Sequence, residues 1–266
     1  MSSIENLCSL VGKVAVITGA GRGVGQGIAT VFARAGADVV IAEVNQDFAE
    51  ETRLLVERAG RRALAVPTDV MQEQSVELML GRALQAFGHV DVLVNNVGGV
   101  VKPRMIAIEN MELEEWERTL SLNLTSQFLC SRAVIRHWLD TGRTGNIVNI
   151  ASLAAMVPYK TSVAYGAAKA GVVNLTETLG SSYGKRGIRV NCIAPGHVKT
   201  PITDALYKDR QEVRAAQDRI IPLGRYGMPE EFGKVAAFLA SDASSYITGQ
   251  TIIVSGGMNY FLTELP

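Results

Sequence analysis

Short apolar runs rich in Val and Ile alternate along the chain with longer amphipathic segments. The runs at 13–18 (KVAVIT), 38–43 (DVVIAE), 62–67 (RALAVP), 90–95 (VDVLVN), 145–151 (GNIVNIA), 188–194 (IRVNCIA) and 251–254 (TIIV) read as strands. Their unbroken apolar character suits strands covered on both faces, as in a parallel sheet between helical layers. Helical periodicity occupies 24–36, 46–59, 72–87, 113–140, 162–184 and 229–240. This β-α order predicts an α/β chain with a single-domain Rossmann fold: a doubly wound seven-stranded parallel sheet flanked by helices. No Pro/Gly/Ser-rich linker interrupts it, so residues 1–266 read as one domain. The segment 197–228 breaks the rhythm just after a strand's C-terminal end, where open α/β sheets bind ligands. It is either a lid over a substrate site or a surface excursion without a role.

Composition narrows the classes. The chain has 266 residues, 47% hydrophobic and 20% charged, with Lys+Arg and Asp+Glu balanced at 26 each. No like-charge run reaches five residues, which argues against a nucleic-acid or polybasic membrane surface. Cys8, Cys130 and Cys192 are scattered and lack CxxC spacing, which fits a reducing cytoplasm rather than a disulfide framework. His89, His137 and His197 form no metal-ligand pattern. The stretch MSSIENLCSL does not read as a signal peptide, and no apolar run approaches the length of a spanning helix.

Candidate chemistry begins after the first strand, at TGAGRGVGQG (18–27). Small residues there let backbone N–H groups and a helix N-terminus approach a pyrophosphate, the backbone being that of Gly19, Gly21, Arg22, Gly23 and Val24. A tight turn packing helix on sheet would use the same glycines. Glu43, ending the next strand, is placed to accept hydrogen bonds from adenosine ribose hydroxyls and to repel a 2′-phosphate. The Arg22 guanidinium would instead attract such a phosphate. The acid sits at the hydroxyls themselves, so NAD is expected over NADP.

In SVAYGAAKAG (162–171), Tyr165 and Lys169 stand one helical turn apart on one face. Free tyrosine, with a pKa near ~10, is a poor base at neutral pH, and a neighbouring ammonium favours its phenolate. Together these residues resemble the short-chain dehydrogenase/reductase family, in its branch of roughly 250 residues. The branch's TGxxxGxG is matched by Thr18, Gly19, Gly23 and Gly25. Asp69–Val70, NNVG (95–98), Asn123 in LSLNLTSQF, Ser152 in NIVNIAS, Tyr165, Lys169 and PGHVKT (195–200) follow in the family's order, across about residues 10–257. Two positions depart from it: Val97 where alanine is common, and Ser255 where aspartate is frequent.

The resemblance implies a catalytic set of Asn123, Ser152, Tyr165 and Lys169. Tyr165 would be the general acid/base, and Ser152 would bond the substrate oxygen. Lys169 would hold the nicotinamide ribose, and the Asn123 carbonyl would hold a water leading to Lys169. Taken alone, Ser152 reads first as a strand-end serine bonded to local backbone, and Asn123 equally as a polar residue inside a helix. By position, Asp69 and Val70 would flank adenine, though Asp69 also suits a helix N-cap. Asn95 and Gly98 would line the adenosine side, and Pro195, Gly196, Val198 and Thr200 would bracket the nicotinamide. Pocket walls at Gly99–Val101, Leu153–Tyr159, His197 and 201–226 are mainly apolar and carry no arginine fork, so a largely apolar secondary alcohol or ketone is expected. His197 is either a substrate contact or a loop histidine facing solvent. The alternatives are an NADPH-dependent 3-oxoacyl-carrier-protein reductase, with Arg143 and Arg186 as docking residues, and a cofactor-binding regulator without turnover. Apolar stripes on 113–140 and 162–184, with the family's habit of packing these helices between subunits, imply a homotetramer.

Overall fold

The computed structural model describes residues 7–99, 106–158, 163–201, 203–204 and 219–258. Seven strands form one parallel sheet: β1 (Val14–Thr18), β2 (Asp38–Glu43), β3 (Ala63–Pro67), β4 (Val92–Asn95), β5 (Gly145–Ile150), β6 (Ile188–Pro195) and β7 (Thr251–Val254). Their spatial order is β3-β2-β1-β4-β5-β6-β7. The order reverses between β1 and β4, whose register pairs Ala15 with Val92 and Ile17 with Val94. That reversal opens a crevice at the carboxyl ends of the strands.

Helices α1 (Gly23–Arg34), α2 (Gln46–Arg58), α3 (Glu73–Phe87), α4 (Leu113–Leu120), α5 (Ser126–Thr141), α6 (Val163–Tyr183) and α7 (Pro229–Ala240) cover both faces. One apolar layer joins Ile17, Val39 and Ile41 to Ile28 and Phe32 of α1 and Phe232 of α7. The other joins Val16, Val40 and Leu93 to Met79 of α3 and Val134 and Trp138 of α5. Alternate residues of β1 therefore feed opposite layers, which is why the run carries no polar position before Thr18. Each fully buried aliphatic side chain of this kind contributes about 1.5–3 kcal/mol. Trp138 ties α5 to the sheet's lower edge: its Nε1 donates to the Val90 carbonyl at 2.7 Å, and its ring covers the Gly145 backbone.

The helix expected over 113–140 is not continuous. A π turn at Ser121–Thr125 separates α4 from α5, and the Ser126 N–H reaches back five residues to the Ser121 carbonyl. One extra residue in a turn leaves the apolar period almost unchanged, so the pattern could not reveal it. The outward residues of α6 also differ from the expected apolar stripe. They include Ala167, Ala170, Asn174, Glu177, Thr178 and Ser181, which are small or polar. Of the segment 197–228, residues 202 and 205–218 lie outside the described residues.

Candidate active site

The crevice beyond β1 and β4 opens into a cavity of about 840 Å³ that runs from Glu43 and Phe48 at one end to Tyr165, His197 and Tyr226 at the other. At the first end, α1 starts with its N-terminal N–H groups uncapped by any side chain and no acid in its first turn. Gly19 and Gly23 hold φ of +61° and +57°, values that L side chains rarely adopt, and these bend the chain from β1 into α1. Glu43 is held by two backbone donors: Gly21 N to Oε2 and Asn45 N to Oε1, both 3.1 Å. The Arg22 guanidinium lies 3.2 Å above the centre of the Phe48 ring, at the same rim.

Gly19, Arg22, Gly23, Val24, Glu43, Asp69 and Val70 all line the cavity, whereas Gly21 does not. Gly21 faces Glu43 and Phe48, where a Cβ would lie 2.8 Å from Glu43 Oε2. Its contribution is the room it leaves for that carboxylate. Asp69 closes a local turn, its Oδ1 accepting from Met71 N at 3.0 Å, while the α3 N-cap is Gln72. The N-cap alternative for Asp69 therefore does not hold.

Beside β4, the two asparagines of NNVG face opposite ways. Asn95 is 1% exposed and donates to Ser131 Oγ and Asn149 Oδ1, both at 2.9 Å, so its side chain points into the core and away from the adenosine side. Asn96 is the one lining the cavity, and its Nδ2 donates to the carbonyls of Thr18 and Gly19 at 3.0 Å each. Val97 packs over the same turn, its Cγ2 within 3.0 Å of where a Gly19 Cβ would stand. Gly98 lines the cavity, and a Cβ there would lie 2.7 Å from both Lys169 Nζ and Asn123 Oδ1. Asn123 sits within the π turn, buried, and does not line the cavity. Its amide clamps Gly99, accepting from the N–H at 2.8 Å and donating to the carbonyl at 2.9 Å.

At the other end, Ser152, Tyr165 and Lys169 share the cavity wall. Ser152 Oγ also accepts from Ala154 N at 3.2 Å, so it holds the local turn as well as facing the cleft. Lys169 is 2% exposed, donates to the Ile150 carbonyl at 2.8 Å, and places Nζ 5.8 Å from the centre of the Tyr165 ring. Burial lowers its pKa to about 8, with the Cys192 thiolate form opposing that shift. Pro195, Gly196, Val198 and Thr200 form the opposite wall. A parallel bridge of Val198 with Gly227 fixes His197 edge-on to Tyr226, ring centres 5.1 Å apart. Tyr226 lines the cavity as part of the expected 201–226 wall, whereas Phe48 and Asn96 were not singled out from the sequence. Only Asn96, beside a flagged asparagine, carried a signal. Of the expected pocket walls, 100–101, Tyr159, 202 and 205–218 lie outside the described residues, while Gly99 and residues 153–158 do not line the cavity. Among the described residues, no group of three His, Cys, Asp or Glu could hold a metal, and no helix is long and apolar enough to cross a membrane.

This arrangement fits a dinucleotide. Its volume is within the range of cofactor sites, one end presents uncapped helix N–H groups, and the other pairs a phenol with an ammonium. Residues 19–259 match the family model described as enoyl-(acyl carrier protein) reductase. The chain belongs to the short-chain dehydrogenase/reductase family. It is 41% identical over 254 residues to 3β-hydroxysteroid dehydrogenase 1 of Eggerthella lenta, covering 95% of each chain. Among solved structures it resembles 7α-hydroxysteroid dehydrogenase in complex with NADH and 7-oxo glycochenodeoxycholic acid. There the TM-score is 0.88 at 35% identity, over 95% of this chain and 96% of that one. A variant of actinorhodin polyketide ketoreductase with NADPH is similar at TM-score 0.88 and 30% identity, over 94% and 98% of the chains. Members of this oxidoreductase family thus bind nicotinamide cofactors of both kinds.

Proposed function

We propose that this protein is an NAD(H)-dependent oxidoreductase acting on a secondary alcohol or ketone within a largely apolar, alicyclic or aromatic substrate. The observation that carries this reading is one cavity with Glu43 at one end and Tyr165, Lys169 and Ser152 at the other. Nicotinamide, when bound, supplies or accepts the hydride. The dinucleotide's adenosine ribose would meet Glu43, its pyrophosphate the N-terminus of α1, and its nicotinamide ribose Lys169. Asp69 and Val70 would flank adenine, with Gly98 on the adenosine side.

Tyr165 moves the proton at the substrate oxygen, and Ser152 Oγ orients that oxygen by a hydrogen bond. The Lys169 ammonium stabilises the phenolate of Tyr165, so the proton can move near neutral pH. Asn123, through its clamp on Gly99, keeps the 98–99 turn against Lys169. The hydroxysteroid dehydrogenase relatives support a ring-borne carbinol as substrate.

A second reading, an NADPH-dependent 3-oxoacyl-carrier-protein reductase, draws on the Arg22 guanidinium beside the ribose end. Titration of the purified protein with NADH and NADPH, followed by a ketone panel with the preferred cofactor, separates the two. Tighter NADH binding and turnover of cyclic ketones are expected; NADPH preference would overturn the NAD reading. Tyr165→Phe should lower kcat about 10²-fold or more while leaving NADH affinity within about threefold. Survival of turnover would remove Tyr165 from its role.

A further inference from the structure

One carbonyl in the site receives two side chains. Lys169 Nζ donates to the Ile150 oxygen at 2.8 Å, and Gln127 Nε2 donates to the same oxygen at 3.1 Å. Gln127 is 2% exposed and lies on α5, one turn beyond Asn123. The two amides reach from one helical edge to neighbouring places: Asn123 to Gly99 after β4, Gln127 to the last residue of β5. Its other amide atom, Oε1, is buried with no hydrogen-bond partner among the described residues. An orphaned buried acceptor costs about 1–3 kcal/mol, so Gln127 is poorly chosen for stability alone.

We infer that Gln127 is a positioning residue for Lys169, holding one lone pair of the Ile150 carbonyl so that the ammonium is confined to the other. A carbonyl oxygen offers two lone-pair directions and an ammonium three freely rotating donors. With one direction taken, Nζ has a single seat, and its remaining N–H bonds are directed toward the cleft. Both nitrogens bond the same oxygen, so they lie within about 6 Å of each other. The positive end of the Gln127 amide therefore also opposes the ammonium charge. The other titratable groups facing Lys169 are Tyr165 on its own helix and Cys192 on β6, whose thiol burial pushes up to about 11. The inference rests on the proposed role of Lys169 in holding cofactor and activating Tyr165, and it adds a residue outside that set.

The test uses Gln127→Met, which fills the space without a donor, and Gln127→Glu, which donates only while protonated. Two readouts are followed from pH 6 to 9.5 in the full chain: titration of Lys169 by NMR of 13Cε-labelled lysine without cofactor, and NADH affinity by fluorescence. Gln127→Met should raise the Lys169 midpoint and weaken NADH about fivefold at every pH. Gln127→Glu should match the parent protein at the acid end, where burial keeps its carboxyl neutral. It should then lose NADH as it ionises, because a carboxylate cannot donate to the carbonyl and draws the ammonium to itself. Should Gln127→Met fail to fold, the pH-dependent loss in Gln127→Glu carries the test against its own acid-end behaviour. An unshifted lysine midpoint and parent-like NADH affinity in every folded variant would overturn the inference. If the cofactor reading itself is wrong, the parent protein fails to bind NADH while the lysine midpoint still moves.

Discussion

A methyl group on Gly98 would stand 2.7 Å from the Lys169 ammonium and from Asn123 Oδ1, inside the contact distance of any real Cβ. Gly98→Ala should therefore fold, yet displace Lys169 from its seat under the Ile150 carbonyl. Turnover is expected to fall about tenfold or more, with the thermal midpoint lowered by a few degrees at most. Parent-like kinetics would mean that the lysine moves without consequence. At the opposite end of the cleft, Glu43 and Arg22 line the same cavity and would favour different cofactors. Replacing the carboxylate by Glu43→Ser leaves Arg22 able to leave its stack on Phe48 and meet a 2′-phosphate. NADH affinity should fall and NADPH affinity rise, reversing the ratio measured by titration. At this scale most of the cleft was legible, because glycines, Glu43 and the Tyr165–Lys169 pair carry chemistry in their residue types. Asn95 was misread because neighbouring strand positions point to opposite sides, and a doublet of identical residues does not say which faces the cleft. Gln127 gave no signal at all, since a glutamine in a helix ordinarily reads as a solvated position.

Between residue and molecule, the elements decide which side chains can meet. The strands were legible because burial on both faces leaves unbroken Val/Ile runs, and β2 and β7 begin and end where the pattern places them. The π turn was not, although it rotates Asn123 onto Gly99 and sets Gln127 one turn on. The strap at 225–228 lies within the segment 197–228 that the pattern set apart, but its register was not legible because it comes from long-range bonds. Glu231, in the first turn of α7, accepts from Arg225 through both oxygens at 2.7 Å and from Met228 N at 2.7 Å. These donors, Arg225 first, pull its carboxyl down to about 2. The depressed carboxylate stabilises the strap above its ordinary titration range, and that contribution is lost as pH falls toward 2. Arg225 is exposed and Glu231 half-exposed, so solvent screening leaves the pair little net contribution to stability. Glu231→Ala should thus barely change overall stability at pH 7. Because the strap carries Tyr226 and bridges Val198 to Gly227, the expected effect is a raised KM for the alcohol or ketone with kcat nearly unchanged. A kcat loss at constant KM would contradict that placement.

For the whole molecule, assembly and stability pull on the same helices. The outward residues of α6 are small and polar, while Leu113 of α4 and Phe128 of α5 are exposed apolar groups, so the helices available to a neighbouring subunit differ in kind. A homotetramer is the expected assembly, and a monomer by light scattering at micromolar concentration would refute it. Within the chain itself, the cleft exacts a cost through Lys169. Its ordinary pKa of 10.5 drops to about 8 because burial disfavours the ammonium. Below pH 8 the folded protein carries that charge at a penalty of about 3 kcal/mol, taking about 1.4 kcal/mol for each pKa unit. Between pH 8 and 10.5 the unfolded chain binds the extra proton, so stability rises with pH across this window and the penalty disappears above it. Lys169→Met removes the charge, and the Ile150 carbonyl keeps its bond from Gln127. The cofactor-free variant should accordingly unfold several degrees above the parent at pH 7, with turnover abolished. The gap should narrow as pH is raised from 8 toward 10, measured by thermal denaturation across that range. A variant less stable than the parent at pH 7 would show that the lysine is a structural support rather than a strained functional group.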